Sequence, residues 1–166
     1  MKNPGKLQIT TPSDRELAMI RSFDAPRSLA WDAWTKPELL KQWLGVRGGW
    51  TFAVCEVDLK VGGKYRYVWR GPTGMDMGMG GVFREVAKPK RLVATEKFDD
   101  AWYEGDAVDT TTFVENGGKT TVTTTVQYAS KAVRDAVLKT PMEKGVAESY
   151  DKLDEVLASR PTAAAR

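Results

Sequence analysis

The sequence predicts an α+β domain in which a curved antiparallel sheet wraps around a long C-terminal helix. Three observations carry that expectation. Short apolar-alternating runs recur between residues 50 and 128 with turn signals between them, two short helical segments precede them, and one long amphipathic segment follows. A chain of 166 residues that is 42% apolar can fill one core. Residues 1–14, with Pro4, Gly5 and Pro12, and residues 159–166 carry no apolar period. They read as flexible tails, leaving 15–158 as a single domain.

The first strand is expected over Arg15–Phe23, where Leu17, Met19 and Phe23 alternate with other residues. Asp24-Ala25-Pro26 breaks it, and Pro26 suits the first position of a helix whose apolar face is Leu29, Ala30, Ala33 and Trp34. Thr35 and Glu38 have the spacing of a capping box ahead of Leu39, Leu40, Trp43 and Leu44. After the turn region Gly45–Gly49, strands are expected at Trp50–Leu59, Lys64–Arg70, Met75–Val86 and Arg91–Phe98. A last hairpin, Ala107–Val114 with Thr120–Tyr128, closes across Asn116-Gly117 and is crowded with Thr, whose branched side chain favours extended backbone. Ser130–Lys139 reads as a short helix. Thr140-Pro141-Met142-Glu143 then opens the long one, with Thr140 as its cap. Met142, Val146, Tyr150, Leu153 and Leu157 share one face of it, and only the sheet is large enough to receive that stripe.

Composition removes several functions. The chain has no histidine, so Ser-His and Cys-His dyads, imidazole acid–base catalysis and His metal ligands are excluded. Net charge is only +3 with basic and acidic residues interspersed, so no nucleic-acid partner is expected. Cys55 is the single cysteine, which rules out an intrachain disulfide and fits a reducing compartment. No run approaches the roughly 20 apolar residues of a membrane helix, and the polar start lacks a signal peptide. The expectation is a cytoplasmic protein with no membrane insertion.

The Phe23-Asp24-Ala25-Pro26 turn, the run Ala30-Trp31-Asp32-Ala33-Trp34-Thr35-Lys36-Pro37 and Trp43 before the glycine-rich turn form an ordered set. It continues through Asp58 ahead of Gly62-Gly63, Lys88-Pro89-Lys90-Arg91-Leu92, and Met142 to Gly145. In this order the chain resembles the SRPBCC or START-like superfamily, and within it the branch named after the activator of heat-shock protein 90 ATPase. The resemblance spans roughly residues 15–157. It implies a helix-grip fold with a cavity between the sheet and the last helix. Superfamily members bind lipids, hormones, polyketides or antibiotics, and some catalyse cyclisation. The branch has no shared catalytic motif, so no catalytic residue, cofactor or metal carries over. Chaperone-activating members bear an additional N-terminal domain that a 14-residue tail does not replace, so a chaperone partner is not expected. An uncovered sheet edge would let two copies pair as a homodimer.

Strand parity and the helix stripe then nominate the wall of a pocket for a small apolar or amphipathic molecule. Tyr65, Tyr67 and Trp69 share one strand face; Met75, Met77, Met79 and Phe83 share another. Trp43, Phe52, Glu96, Phe98, Trp102, Met142, Val146 and Tyr150 complete the expected lining. The same pattern would also fill a solid core. Met75, Met77 and Met79 could hold a soft metal, but alternation is equally what a buried strand gives, and no metal is expected. Glu56 and Asp58 are placed on the face of Phe52, where they or Glu96 would anchor a ligand or serve an enzyme as acid and base. An inward carboxylate would need a partner such as Arg84 or a Tyr hydroxyl. Gly145, inside a helix, points to a close approach by the sheet or a ligand.

Overall fold

A computed structural model describes residues 6–160. Eight antiparallel strands form one curved sheet, the element order expected for a helix-grip fold, with a 17-residue helix laid against its concave face. The elements are β1 (Gln8–Thr10), β2 (Glu16–Phe23), α1 (Arg27–Thr35), α2 (Pro37–Leu40), β3 (Thr51–Val57), β4 (Lys64–Arg70), β5 (Asp76–Ala87), β6 (Arg91–Phe98), β7 (Ala107–Asn116), β8 (Lys119–Gln127), α3 (Lys131–Leu138) and α4 (Met142–Ala158). The sheet order is β1-β2-β8-β7-β6-β5-β4-β3, so all strands from β3 to β8 form a meander and β2 adds to its far edge.

Three local expectations need correction. Gln8–Thr10 lies in the stretch read as a tail, yet it pairs with Ala18–Ile20 as an edge strand. Thr35 does not cap α2: its hydroxyl donates back to the Trp31 carbonyl at 2.8 Å, and Pro37 opens the helix without a side-chain cap. Thr140 likewise donates to the Val137 carbonyl, leaving Pro141 at the cap position of α4. Ser130 does cap α3, accepting from the Val133 amide at 3.1 Å. The parts of the expected tails at 1–5 and 161–166 lie outside the described residues.

Apolar residues of the concave face form two clusters. The larger joins Phe23, Trp31, Trp43, Phe113, Val122, Tyr150 and Leu153. The smaller joins Leu17, Ala107, Val126, Tyr128 and Val137 beneath α3. Trp31 and Trp43 are essentially inaccessible, and the Trp43 indole N–H donates to the Ala33 carbonyl, so its one polar atom is satisfied. The convex face is instead laced by exposed ion pairs: Arg66–Asp99, Arg70–Asp76 and Arg91–Glu85.

The sheet bends where its ladder is interrupted. Register shifts occur between Phe52 and Val54 and between Phe83 and Glu85, each inserting one residue that turns the strand. A third irregularity centres on Gly80-Gly81. There Val82 donates to the Thr95 hydroxyl instead of a backbone oxygen, and the Tyr65 hydroxyl donates to the Thr95 carbonyl at 2.6 Å. A Cβ on Gly81 would overlap that same Thr95 carbonyl. Backbone cannot retreat as a flexible side chain can, so Gly81→Ala should destabilise the fold by at least the ~1–3 kcal/mol typical of overpacking. A lower urea midpoint at unchanged slope is the expected result; an unchanged midpoint would show that the bend is not held this tightly.

Candidate functional site

Bending the sheet away from α4 leaves a cavity of about 610 Å³ between them, within the ~300–1,000 Å³ range of small-molecule sites. Were it dry and empty, a cost near 24 cal/mol per Å³ would amount to something on the order of 15 kcal/mol for this volume. That is the whole stability of an ordinary domain. The cavity is therefore a place for water or a ligand. Met77, 44% exposed, and Arg47 line it where it meets the surface.

Its wall is built by strand parity. β4 contributes Tyr65, Tyr67 and Trp69; β5 contributes Met77, Met79 and Phe83; β6 contributes Leu92, Ala94, Glu96 and Phe98. Facing them, Met142, Gly145, Val146, Ser149 and Tyr150 come from α4, and Trp43 lies beside Trp34 and Leu40 from the short helices. Twelve of the fifteen residues nominated from sequence thus converge on this space. Met75, 60% exposed just ahead of β5, does not, nor do Phe52 and Trp102. Phe52 is buried behind the wall, stacked 5.0 Å from Trp69 and 5.4 Å from Tyr67. Trp102 falls in the loop after β6, 60% exposed, and touches Tyr103 instead. The inward alternation of β6 ends with Phe98, so extending it to Trp102 was unwarranted.

The acids are redistributed too. Ala53 is the extra residue of the first bulge, so Cys55 and Val57, not Glu56, follow Phe52 on the inner face. Glu56 and Asp58 are exposed, and Arg84 at the second bulge faces solvent. Cys55 is half-buried, and desolvation above all pushes its thiol up to about 11, so it is no nucleophile near neutral pH. Glu96 does face inward, but its neighbour is a residue the sequence reading passed over: Asp109 of β7. Asp109 shares the inner face with Ala107, Thr111 and Phe113, a parity that marked it as inward once β7 was placed.

Asp109 is the chemically distinctive group. Its Oδ1 is buried with no N–H or O–H partner among the described residues. Burial, then the charge of Glu96, then a hydrogen bond to Glu96, hold its carboxyl well above the usual carboxylate range. Two carboxyl groups in one low-dielectric space oppose ionising together, which is why Asp109 favours its protonated form. Of the hydroxyls nearby, Tyr65 is bonded to Thr95, and Thr111 and Thr124 to one another at 3.0 Å, while the Tyr67, Tyr103 and Tyr128 phenols are pushed up by burial and by the acids. Tyr150 bonds Thr124, and burial pushes its phenol up to about 12.

Residues 24–158 match the family described as activator of Hsp90 ATPase homolog 1-like protein. The chain belongs to that family. Among solved structures, this AHSA1-like chain is similar to a Rhodobacter sphaeroides protein at 34% identity, covering 93% of this chain and 99% of that one, with a TM-score of 0.88. A Nitrosomonas europaea protein is 26% identical over 88% of this chain and 96% of its own, with a TM-score of 0.77. A Mycobacterium smegmatis protein shares the fold at 22% identity over 93% and 98% of the two chains, TM-score 0.79. No curated protein matches. Among the described residues no helix is long and apolar enough to cross a membrane.

Gly145 of this AHSA1-like chain lines the cavity beside Arg47: a Cβ there would press on the Arg47 guanidinium, 2.8 Å from Nη2. Arg47 in turn pairs with Glu148 at 3.2 Å.

The acid pair generates a pH prediction. A carboxyl whose folded pKa is raised makes the folded state hold the extra proton, so stability falls as pH rises above the unfolded Asp value of 3.8. Asp109→Asn removes that penalty. The variant should melt a few degrees above wild type at pH 7, with the advantage shrinking toward pH 4. A stability difference that does not change across this range would contradict the raised Asp109 carboxyl.

Proposed function

We propose that this chain binds one small, largely apolar molecule between its sheet and α4, for sequestration, transport or sensing. The observation that carries the reading is the 610 Å³ cavity, walled by aromatic, Met and Leu side chains and bearing polar groups at few points. An apolar body would bury its surface at about 25 cal/mol per Å², enough for micromolar affinity from a bicyclic aromatic after the cost of association.

Four tryptophans, Trp34, Trp43, Trp50 and Trp69, line the space, so intrinsic fluorescence is a direct reporter. Titration with neutral 2-(1-naphthyl)ethanol should change that fluorescence saturably and raise the melting temperature. Native mass spectrometry should show a one-to-one complex. Ala94 faces the cavity, and Ala94→Trp would fill it, weakening the probe at least tenfold while the variant stays folded. No binding by wild type, or equal binding by the filled variant, would remove this function.

The Asp109–Glu96 pair supports a second reading, in which the held proton serves as a general acid on a bound aromatic substrate. The two part on one measurement: a carried ligand is recovered at its original mass, whereas a substrate is not.

A further inference from the structure

We propose that the cavity is built for an amphipathic amine, its apolar body against the aromatic and Met wall and its ammonium on the Glu96–Asp109 pair. The inference rests on the cavity-binding reading above and adds the polar end of the ligand. Three features of the molecule lead to it.

The first is a pair of acids without a base. Glu96 and Asp109, on adjacent strands, set two carboxyl groups inside a wall that is otherwise mostly apolar. A buried charge without a counterion is costly, and proteins normally place a cation beside it. Among the described residues the cavity wall offers none: its one basic residue is Arg47, which is turned to Glu148 at the surface. Arg21, the nearly inaccessible cation of β2, is held by Asp151 at 2.8 Å and Asp154 at 3.8 Å. Arg134 is spent on the carbonyls of Ser13 and Glu16 and on Asp135.

The second is the shortage of donors. Among the described residues no hydrogen bond from a protein N–H or O–H reaches Asp109 Oδ1, although the Tyr67, Tyr103 and Tyr128 phenols stand within the field of the acids. The hydroxyl of Tyr65 is bonded to Thr95, and those of Thr111 and Thr124 to one another. Asp109 Oδ1 is therefore left as an acceptor, and a ligand's N–H is a group that would satisfy it. A charge-assisted N⁺–H···O⁻ bond is roughly twice as strong as a neutral one.

The third is the wall itself. Phe98 stands two residues from Glu96 on β6, and Tyr65 and Tyr67 of β4 line the same cavity, so an ammonium there is also offered aromatic faces, which attract cations. The same acids repel a carboxylate, so fatty or aromatic acids are disfavoured guests.

The test holds the apolar body constant and varies the end. Isothermal titration at pH 7 compares 2-(1-naphthyl)ethylamine, 2-(1-naphthyl)ethanol and 1-naphthylacetic acid. The amine should bind wild type at least tenfold tighter than the alcohol, and the acid weakest of the three. In the double variant Glu96→Gln with Asp109→Asn, amine and alcohol should bind within about threefold of one another. Glu148→Gln, which removes a carboxylate outside the cavity, should leave the amine preference in place. If the alcohol matches the amine on wild type, or the acid binds tightest, the amine proposal is overturned while cavity binding stands. Survival of the amine preference in a folded double variant overturns it as well. If none of the three binds wild type, both readings fall. The ranking on wild type decides the matter even where the double variant does not fold.

Discussion

α4 is held more tightly along its C-terminal half than at its start, and the cavity follows from that. Arg21, 4% exposed on the inner face of β2, reaches up to Asp151 and Asp154 on the helix. Tyr150, Leu153, Val156 and Leu157 bury the same half of α4 against Phe23, α1 and α2. Taking a guanidinium out of water is expensive, so a helix shifted off these two carboxylates would leave an unpaired buried cation. The pairing fixes where the C-terminal half of α4 sits. Its N-terminal half, Met142 to Val146, is only partly buried and stands over open space.

The sheet supplies the other half of the geometry. A flat sheet could lie flush against α4 along its length; this one turns away. Two bulges and the Gly80-Gly81 irregularity fall on β3 and β5, the strands at the far side from β2. The region pinned by Arg21 is therefore regular, and the region over the cavity is bent. Thr95 couples the bend to the lining, because it takes hydrogen bonds from both Val82 and the wall residue Tyr65.

Much of this was legible in the sequence, for a definable reason. Where alternation is uninterrupted, as in Tyr65–Trp69 or Leu92–Phe98, parity alone assigned the inner face correctly. The run Phe52-Ala53-Val54 is apolar throughout, so nothing in it betrays the extra residue, and every later position of β3 was placed on the wrong face. Asp109 was hidden differently. It sits in a strand written Asp-Thr-Thr-Thr, where polarity is nearly uniform and no apolar rhythm singles out the inward position. Pairing with β6 sets Asp109 opposite Ala94 and beside Glu96, and so brings the acid to the cavity.

The distribution of ion pairs separates the two faces of the sheet in kind. On the convex side acids stand beside bases: Asp99 has Arg66, Asp76 has Arg70, Glu85 has Arg91. Such pairs, exposed and screened, contribute little to stability and can be exchanged freely. On the concave side the same chain places two acids together without a base, where repulsion and desolvation both oppose them. A core selected for stability alone would have Thr or Val at position 109, as its neighbours Thr111 and Val126 suggest. The destabilising choice makes physical sense if the missing cation arrives with the guest, because binding then relieves a cost that the empty fold must carry.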